Sequence, residues 1–279
     1  MRPCIHRRPS PTPLVLTLLL TGLLPPASVA GQLATPNITG VSFGHLHLNV
    51  ADLNVHRRIW VDHFGGTWVD RDPVRAAWLP GTLIMFNERV PTGGTIGSVL
   101  DHVGFTVPDR DAFVDRWRAD GFEVAQLFES EEGVRQAYLL TPDGLRIELF
   151  EDLGAMEATA THHVHVLAED PEETLAQYAQ RFGLEPRARG SIANTADVPG
   201  MNLSFSQAEE HLVSTRNRVV DHIGFEVVNL ETFVARLEEQ GMVFDVPYQE
   251  LDGIGIAIAF YTDPAGVFVE LTEGLPQYR

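Results

Sequence analysis

The sequence predicts an α+β protein assembled from four copies of one βαβββ unit, and three recurrences predict it. A histidine heading an apolar alternation that runs into Asp or Asn occurs four times: HLHLNVAD from His45, HVGFTVPD from His102, HVHVLAED from His163 and HIGFEVVN from His222. Each is followed by helix-spaced apolar residues that stop at a glycine (Gly65, Gly121, Gly183, Gly241), at His-to-Gly spacings of 20, 19, 20 and 19. Each unit then closes with a Pro/Gly turn feeding an apolar strand: LPGTLIMF from Leu79, TPDGLRIELF from Thr141, VPGMNLSF from Val198 and DPAGVFVELT from Asp263. The alternating spacing points to duplication of a pair of units.

In chain order, residues 1–30 read as a secretory signal peptide. Arg2, Arg7 and Arg8 precede the short apolar run LVLTLLLTGLL, and Ser28 and Ala30 offer a small-residue cleavage site. An uncleaved anchor is the competing reading, but the run is shorter than the roughly 20 residues a membrane span needs. Residues 31–39 form a linker, and the four units follow at 40–97, 98–153, 162–217 and 218–274. The Ala-rich stretch 154–161 joins the halves and residues 275–279 form a tail. Within each unit the Asp or Asn (Asp52, Asp109, Asp170, Asn229) is a helix N-cap type. The helices follow through Ile59 and Phe64; Phe113 and Trp117; Leu175, Tyr178 and Phe182; and Phe233 and Leu237. The glycines suit the left-handed turn that ends a helix. Between helix and last strand, RQAYLLT and GIAIAFYT are clear strands and TWVDRD and LEPRARG weaker ones.

Composition removes several chemistries. The one cysteine, Cys4, goes with the leader, so the mature chain has no thiol, and all 20 basic residues are Arg, so no Schiff-base lysine exists. Loss of three Arg and no acid takes the formal charge from -18 to -18 - 3 = -21, which argues against nucleic acid or an anionic membrane as partner. NIT at Asn37 and NLS at Asn202 match a glycosylation pattern and are read as chance. The expected location is periplasmic or secreted, with no stable membrane insertion after cleavage.

With its four βαβββ units, the chain resembles the vicinal oxygen chelate (VOC) superfamily, which includes glyoxalase I, fosfomycin-resistance proteins and extradiol ring-cleaving dioxygenases. The resemblance implies two tandem VOC domains, 40–153 and 162–274. In each, a pair of modules curls a mixed sheet into a cup around a divalent metal held by first and last strands.

Aligned on their glycine, the last strands carry Met85, Glu148, Ser204 and Glu270 at the fourth following position. Buried in apolar strands, Glu148 and Glu270 need a partner or an ion. Arg146 shares a face with Glu148 and is a competing partner, whereas Glu270 has only Phe268 and Thr272. The first domain thus offers His45, His102 and Glu148, and the second His163, His222 and Glu270. Two imidazoles and one carboxylate with about three open positions suit Fe(II) or Mn(II). Met85 and Ser204 stand where glyoxalase I has a further ligand. A lone strand-head His is commonly structural, but six matched positions favour ligation.

Tyr138, ten residues before Glu148, fits the extradiol spacing of Tyr, Pro, Gly and Glu and is the expected oxyanion donor, a core role being the competing reading. Phe260 stands there in the second domain, and the signature's upstream His is missing from both. His47 and His165 share the face of the ligand histidines, Gly104 and Gly224 stand at the matching positions of the even units, and His47 is the candidate acid–base group of the first cup. Trp60, Trp68 and Trp78 could wall an aromatic pocket or fill the core, while His56, His63 and His211 read as surface or helix residues. The expected function is an exported VOC-type metalloenzyme acting on a small chelating molecule. Extradiol-like dioxygenation is favoured over a metal-dependent lyase or isomerase, or a metal-free binding protein. Oligomeric state is open, because such cups can close within a chain or across a dimer.

Overall fold

The computed structural model describes residues 32–130 and 132–278; the expected signal peptide lies outside the described residues. Module 1 comprises β1 (Val41–Val50), α1 (Leu53–Arg57), β2 (Thr67–Arg71), β3 (Val74–Leu79) and β4 (Thr82–Glu88). Module 2 comprises β5 (Leu100–Val107), α2 (Arg110–Ala119), β6 (Glu123–Glu129), β7 (Arg135–Leu140) and β8 (Arg146–Glu151). Module 3 has β9 (Ala160–Ala168), α3 (Pro171–Phe182), β10 (Pro186–Arg189), β11 (Ile192–Val198) and β12 (Met201–Gln207). Module 4 has β13 (Val220–Val227), α4 (Leu230–Glu239), β14 (Val246–Leu251), β15 (Ile256–Thr262) and β16 (Phe268–Glu273). A 3-10 turn, Leu275–Tyr278, follows. No helix among the described residues is long and apolar enough to cross a membrane.

Local chemistry sets these boundaries. Asp52, Asp109 and Asp170 cap their helices by accepting backbone N–H groups, and Gly65, Gly121, Gly183 and Gly241 all take positive φ after them. Asn229 does not cap with its side chain; Glu273 instead accepts from the Asn229 and Leu230 amides. Helix α1 widens into a π-helical turn at Arg58–His63, an arrangement the 3.6-residue pattern does not disclose.

The strands form two eight-stranded mixed sheets, in the orders β14-β15-β16-β13-β1-β4-β3-β2 and β10-β11-β12-β9-β5-β8-β7-β6. Module 1 therefore shares a sheet with module 4, and module 2 with module 3. The expectation that sequence neighbours 1 and 2, and 3 and 4, share a cup is corrected here. Neighbours in sequence usually neighbour in space, and here they do so through the opposite face. Phe64 of module 1 packs on Phe113 of module 2 with ring centroids 5.0 Å apart, and Phe182 of module 3 stacks on Phe233 of module 4 at 6.2 Å. Polar clips add to this: His56 and His63 reach Asp143 and Asp120 at 2.9 and 3.0 Å, and Tyr178 donates to Asp263 at 2.8 Å. His56 and His63 are thus buried helix residues, while His211 is exposed. One continuous core, including Trp60 and Trp117, lies behind both sheets and leaves their other faces to form the cups.

The clip at Asp263 carries a pH signature. Its carboxyl accepts from the Tyr178 hydroxyl and the Gly266 and Val267 amides, and burial pushes its pKa up to about 6. A folded-state pKa raised above the ordinary value near about 4 gives stability that is full below that value and lost as pH rises through about 6. Asp263→Asn keeps a neutral acceptor. The unfolding free energy of wild type minus that of the variant, from denaturant titrations at stepped pH, should fall between about pH 4 and about pH 6. A pH-independent difference would contradict this account.

Candidate metal centres

The first strands of paired modules run antiparallel at the floor of each cup. In the outer cup (modules 1 and 4) His45 lies opposite Gly224 and His47 opposite His222; in the inner cup (modules 2 and 3) His163 lies opposite Gly104 and His165 opposite His102. The glycines are steric requirements. A Cβ on Gly224 would overlap the His45 imidazole and one on Gly104 the His163 imidazole, because each ring lies across the neighbouring backbone.

The last strands run parallel to β13 and β5, bringing Glu270 beside Gly224 and Glu148 beside Gly104. In the outer cup the Nε2 atoms of His45 and His222 each lie 2.9 Å from Glu270 Oε2. In the inner cup His102 Nε2 lies 3.0 Å and His163 Nε2 3.4 Å from Glu148 Oε2, and the two ring nitrogens are 2.9 Å apart. The six expected ligands are thus all in cups but regrouped: His45, His222 and Glu270 form one triad, and His102, His163 and Glu148 the other. The triads His45/His102/Glu148 and His163/His222/Glu270 do not exist, because their histidines sit in different sheets.

Second partners orient the rings. Asp221 and Asp101 accept from Nδ1 of His222 and His102 at 2.9 and 2.6 Å, which turns the Nε2 lone pair of a neutral ring into the cup. Arg146, the competing partner for Glu148, pairs instead with Asp101. Burial disfavours charge on His222, but its bonds to Asp221 and Glu270 outweigh this and push it up to about 9; burial pushes His47 down to about 3, helped by the fields of His222 and His45. Burial likewise opposes charge on Glu270, yet His222 and His45 hold it well below the carboxylate range. Buried lone pairs aimed at one another within about 3 Å need a proton or a cation between them, and the donor set fits a divalent ion.

The cups differ around this shared core. His47 stays in the outer cup with both ring nitrogens unpartnered, and its ring lies 4.5 Å from His222. It is remote in the fold from Tyr138 and cannot serve beside it as expected, since β1 belongs to the other sheet. His47 approaches His45, His222 and Glu270 closely enough to form a four-ligand group; its counterpart His165 likewise approaches His102 and His163 but also bonds Ser206 through Nε2 at 2.8 Å. Tyr138 pairs with Glu148 across β7 and β8 and sits 5.4 Å from the His102 ring, on the cup side as expected. Burial, with the charge of Glu148, raises its pKa, so the phenol keeps its proton. Phe260 occupies the matching place beside Glu270.

Apolar residues fill much of the outer cup. Leu275 and Tyr278 pack there with Leu33, Val74, Trp78, Ile256 and Ile258, leaving a cavity of about 220 Å³. Trp78 donates to the Tyr278 carbonyl at 2.7 Å and so anchors this turn; Trp60 is core and Trp68 stacks on Phe86. None of the three lines the cavity of either cup. The inner cup keeps a cavity of about 560 Å³ lined by His102, Gln136, Tyr138, Glu148, Phe150, His162, His165 and Arg189.

Sequence reasoning missed Asp101, Asp221, His162 and Arg189. The repeated Asp-His doublet was a readable signal for the two aspartates. His162 was hidden by a β-bulge, the register stepping from Gly104–His163 to Phe105–Thr161 and turning an outward residue inward.

The family profile described as Glyoxalase/Bleomycin resistance protein/Dioxygenase superfamily matches residues 42–149 and 160–271. The chain belongs to that superfamily. Among solved structures, glyoxalase I from Zea mays resembles this superfamily member with TM-score 0.66 and 15% identity, over 84% of this chain and 92% of that one. A Bacillus subtilis protein with a provisional dioxygenase assignment does so with TM-score 0.62 and 14% identity, over 87% and 86%. Identities this low establish a shared fold. No curated protein matches the chain.

The glycine requirement is testable. Gly224→Ala should lower the unfolding free energy by about 1–3 kcal/mol, the range for forcing a methyl into a packed interior, read from denaturant unfolding with chelator present. A wild-type curve would show that the His45 ring has room to move.

Proposed function

We propose that this protein is a divalent-metal-dependent enzyme whose working site is the inner cup, acting on a small molecule that chelates through adjacent oxygens. The observation that carries this reading is the convergence of His102, His163 and Glu148 on one point of an open cavity that also holds the Tyr138 phenol. The outer triad has equivalent ligands but lies beneath an apolar plug and lacks the phenol. An ion held in the inner cup would polarise chelated oxygens as a Lewis acid and, as Fe(II), support oxygen chemistry. Tyr138, kept protonated, donates a hydrogen bond to a developing oxyanion, and Asp101 fixes the His102 ring. Extradiol-like dioxygenation with Fe(II) or Mn(II) is the favoured reaction, because the triad leaves about three positions for substrate and oxygen.

Both triads should bind metal. Glu148→Ala and Glu270→Ala are each expected to remove about one equivalent per chain on Fe(II) or Mn(II) loading, one of three protein ligands being lost, as read by elemental analysis. Unchanged stoichiometry and affinity in either variant would remove that site from the proposal. Once a substrate is in hand, Tyr138→Phe should cut turnover by about tenfold or more at constant metal content, and Glu270→Ala should leave most activity. Substrate-dependent oxygen uptake identifies a dioxygenase, and undiminished anaerobic turnover a lyase or isomerase.

The Arg-led leader supports export to the periplasm or beyond. Mass spectrometry of protein from its native host should find a chain starting near Gly31; an intact Met1 terminus in the soluble cytoplasmic fraction would refute it.

A further inference from the structure

Comparison of equivalent positions in the two cups shows one charge that, among the described residues, forms no ion pair. The hairpin of module 3 ends with Arg189 opposite Ile192, and the hairpin of module 1 with Arg71 opposite Val74. Each arginine follows its helix-ending glycine by six residues (183 to 189, 65 to 71). In the outer cup the molecule itself satisfies Arg71: its guanidinium lies 5.1 Å over the Tyr278 ring, and Nη1 donates to the Gln277 carbonyl. The inner cup has no such plug. Arg189 is half-buried at the cavity wall, donating through Nε to Asn202 Oδ1 at 3.2 Å and through Nη2 to Ser204 Oγ at 2.9 Å. Both partners are neutral, and among the described residues no carboxylate forms an ion pair with it; Glu148 and Asp197 act on it only through their fields. Ser204 is also the position where a glyoxalase-type fourth ligand would stand. Here the space carries a positive guanidinium instead, directed by two hydrogen bonds that leave Nη1 without a partner among the described residues.

We propose that the inner cup selects a chelating substrate bearing an additional anionic group, a carboxylate or its equivalent, which Arg189 holds while the adjacent oxygens meet the metal. This rests on the inner cup being the metal-chelate site. Arg189 is then a specificity residue: of the residues lining this polar cavity, which include Glu132 as well as Glu148, it is the one guanidinium that can offer an anionic group a counter-charge. Gln136 and Tyr138 line this cup where Ile258 and Phe260 stand in the other, as their places twelve and ten residues before the glutamates show. A charge-assisted hydrogen bond between guanidinium and carboxylate is shorter and stronger than a neutral one, and leaving either charge unpaired in a half-buried site is costly.

Anaerobic titration of Co(II)-loaded full chain with catechol, 2,3-dihydroxybenzoate and 3,4-dihydroxybenzoate tests this, read by calorimetry and by the Co(II) absorption spectrum. Catechol chelates without a further charge, and the other two add a carboxylate near to or farther from the diol. In wild type at least one dihydroxybenzoate should bind about tenfold or more tightly than catechol. Arg189→Gln should abolish that preference with catechol affinity and the Co(II) spectrum unchanged, and Arg189→Lys should retain part of it. Arg71→Gln, the same place in the other module, should keep the full preference. Equal affinities in wild type, or a preference surviving Arg189→Gln, would overturn the inference while leaving the metal-chelate reading intact. Failure of all three probes to perturb the Co(II) spectrum would overturn both together.

Discussion

The antiparallel contact between first strands of different modules, with an imidazole lying across a glycine, is the constraint on which both centres depend. Without a side chain at Gly224 or Gly104 the rings of His45 and His163 reach over the neighbouring strand, and only there do they meet a histidine and a glutamate from the partner module. This explains why odd modules read His-x-His and even modules His-x-Gly. One strand supplies the extended ring, and the other supplies the vacancy it needs. The register also places the glutamate of the parallel last strand beside that same glycine, so one backbone position organises all three ligands.

Much of this was legible in the sequence. The units, their helix-ending glycines, the eight-per-sheet strand complement and the six histidine and glutamate positions follow from local periodicity, which residues report directly. The grouping of those six did not follow. Each module carries the same interface signals, so a repeat cannot reveal which copy it pairs with, and adjacency favoured the wrong partner. The deciding contacts are the helix-side ones, Phe64 on Phe113 and Phe182 on Phe233, which hold consecutive modules back to back and send their first strands elsewhere. His162 escaped notice because a bulge breaks the two-residue alternation, and the role of Leu275–Tyr278 because four residues after a last strand look like a loose end. In the folded chain they are a packed plug.

The duplicated cups have diverged through walls and mouth rather than through ligands. Phe260 for Tyr138, Ile258 for Gln136 and the anchored Tyr278 for open space convert one polar cavity into a largely filled apolar one. His47 follows the same logic. With no hydrogen-bond partner on either nitrogen, it joins the outer ligand group, whereas His165, also within reach of its cup's histidines, has one nitrogen engaged by Ser206. A buried neutral imidazole with two idle nitrogens is unfavourable in isolation, so the outer cup is the place where an ion would relieve the larger number of unsatisfied groups.

The interleaving of modules changes what the segment between the halves contributes. Each sheet runs without interruption from residues before that segment to residues after it, joined by backbone ladders β1–β13 and β5–β9. The covalent crossing near Leu153 and Met156, both exposed, contributes no ligand and no cavity wall. The two halves are fastened to each other as two hands are by interlaced fingers, and the peptide bond between them is a tether rather than a hinge. A backbone cut there would yield a two-chain molecule with both centres whole, whereas either half released alone would carry fragments of two centres and neither one complete.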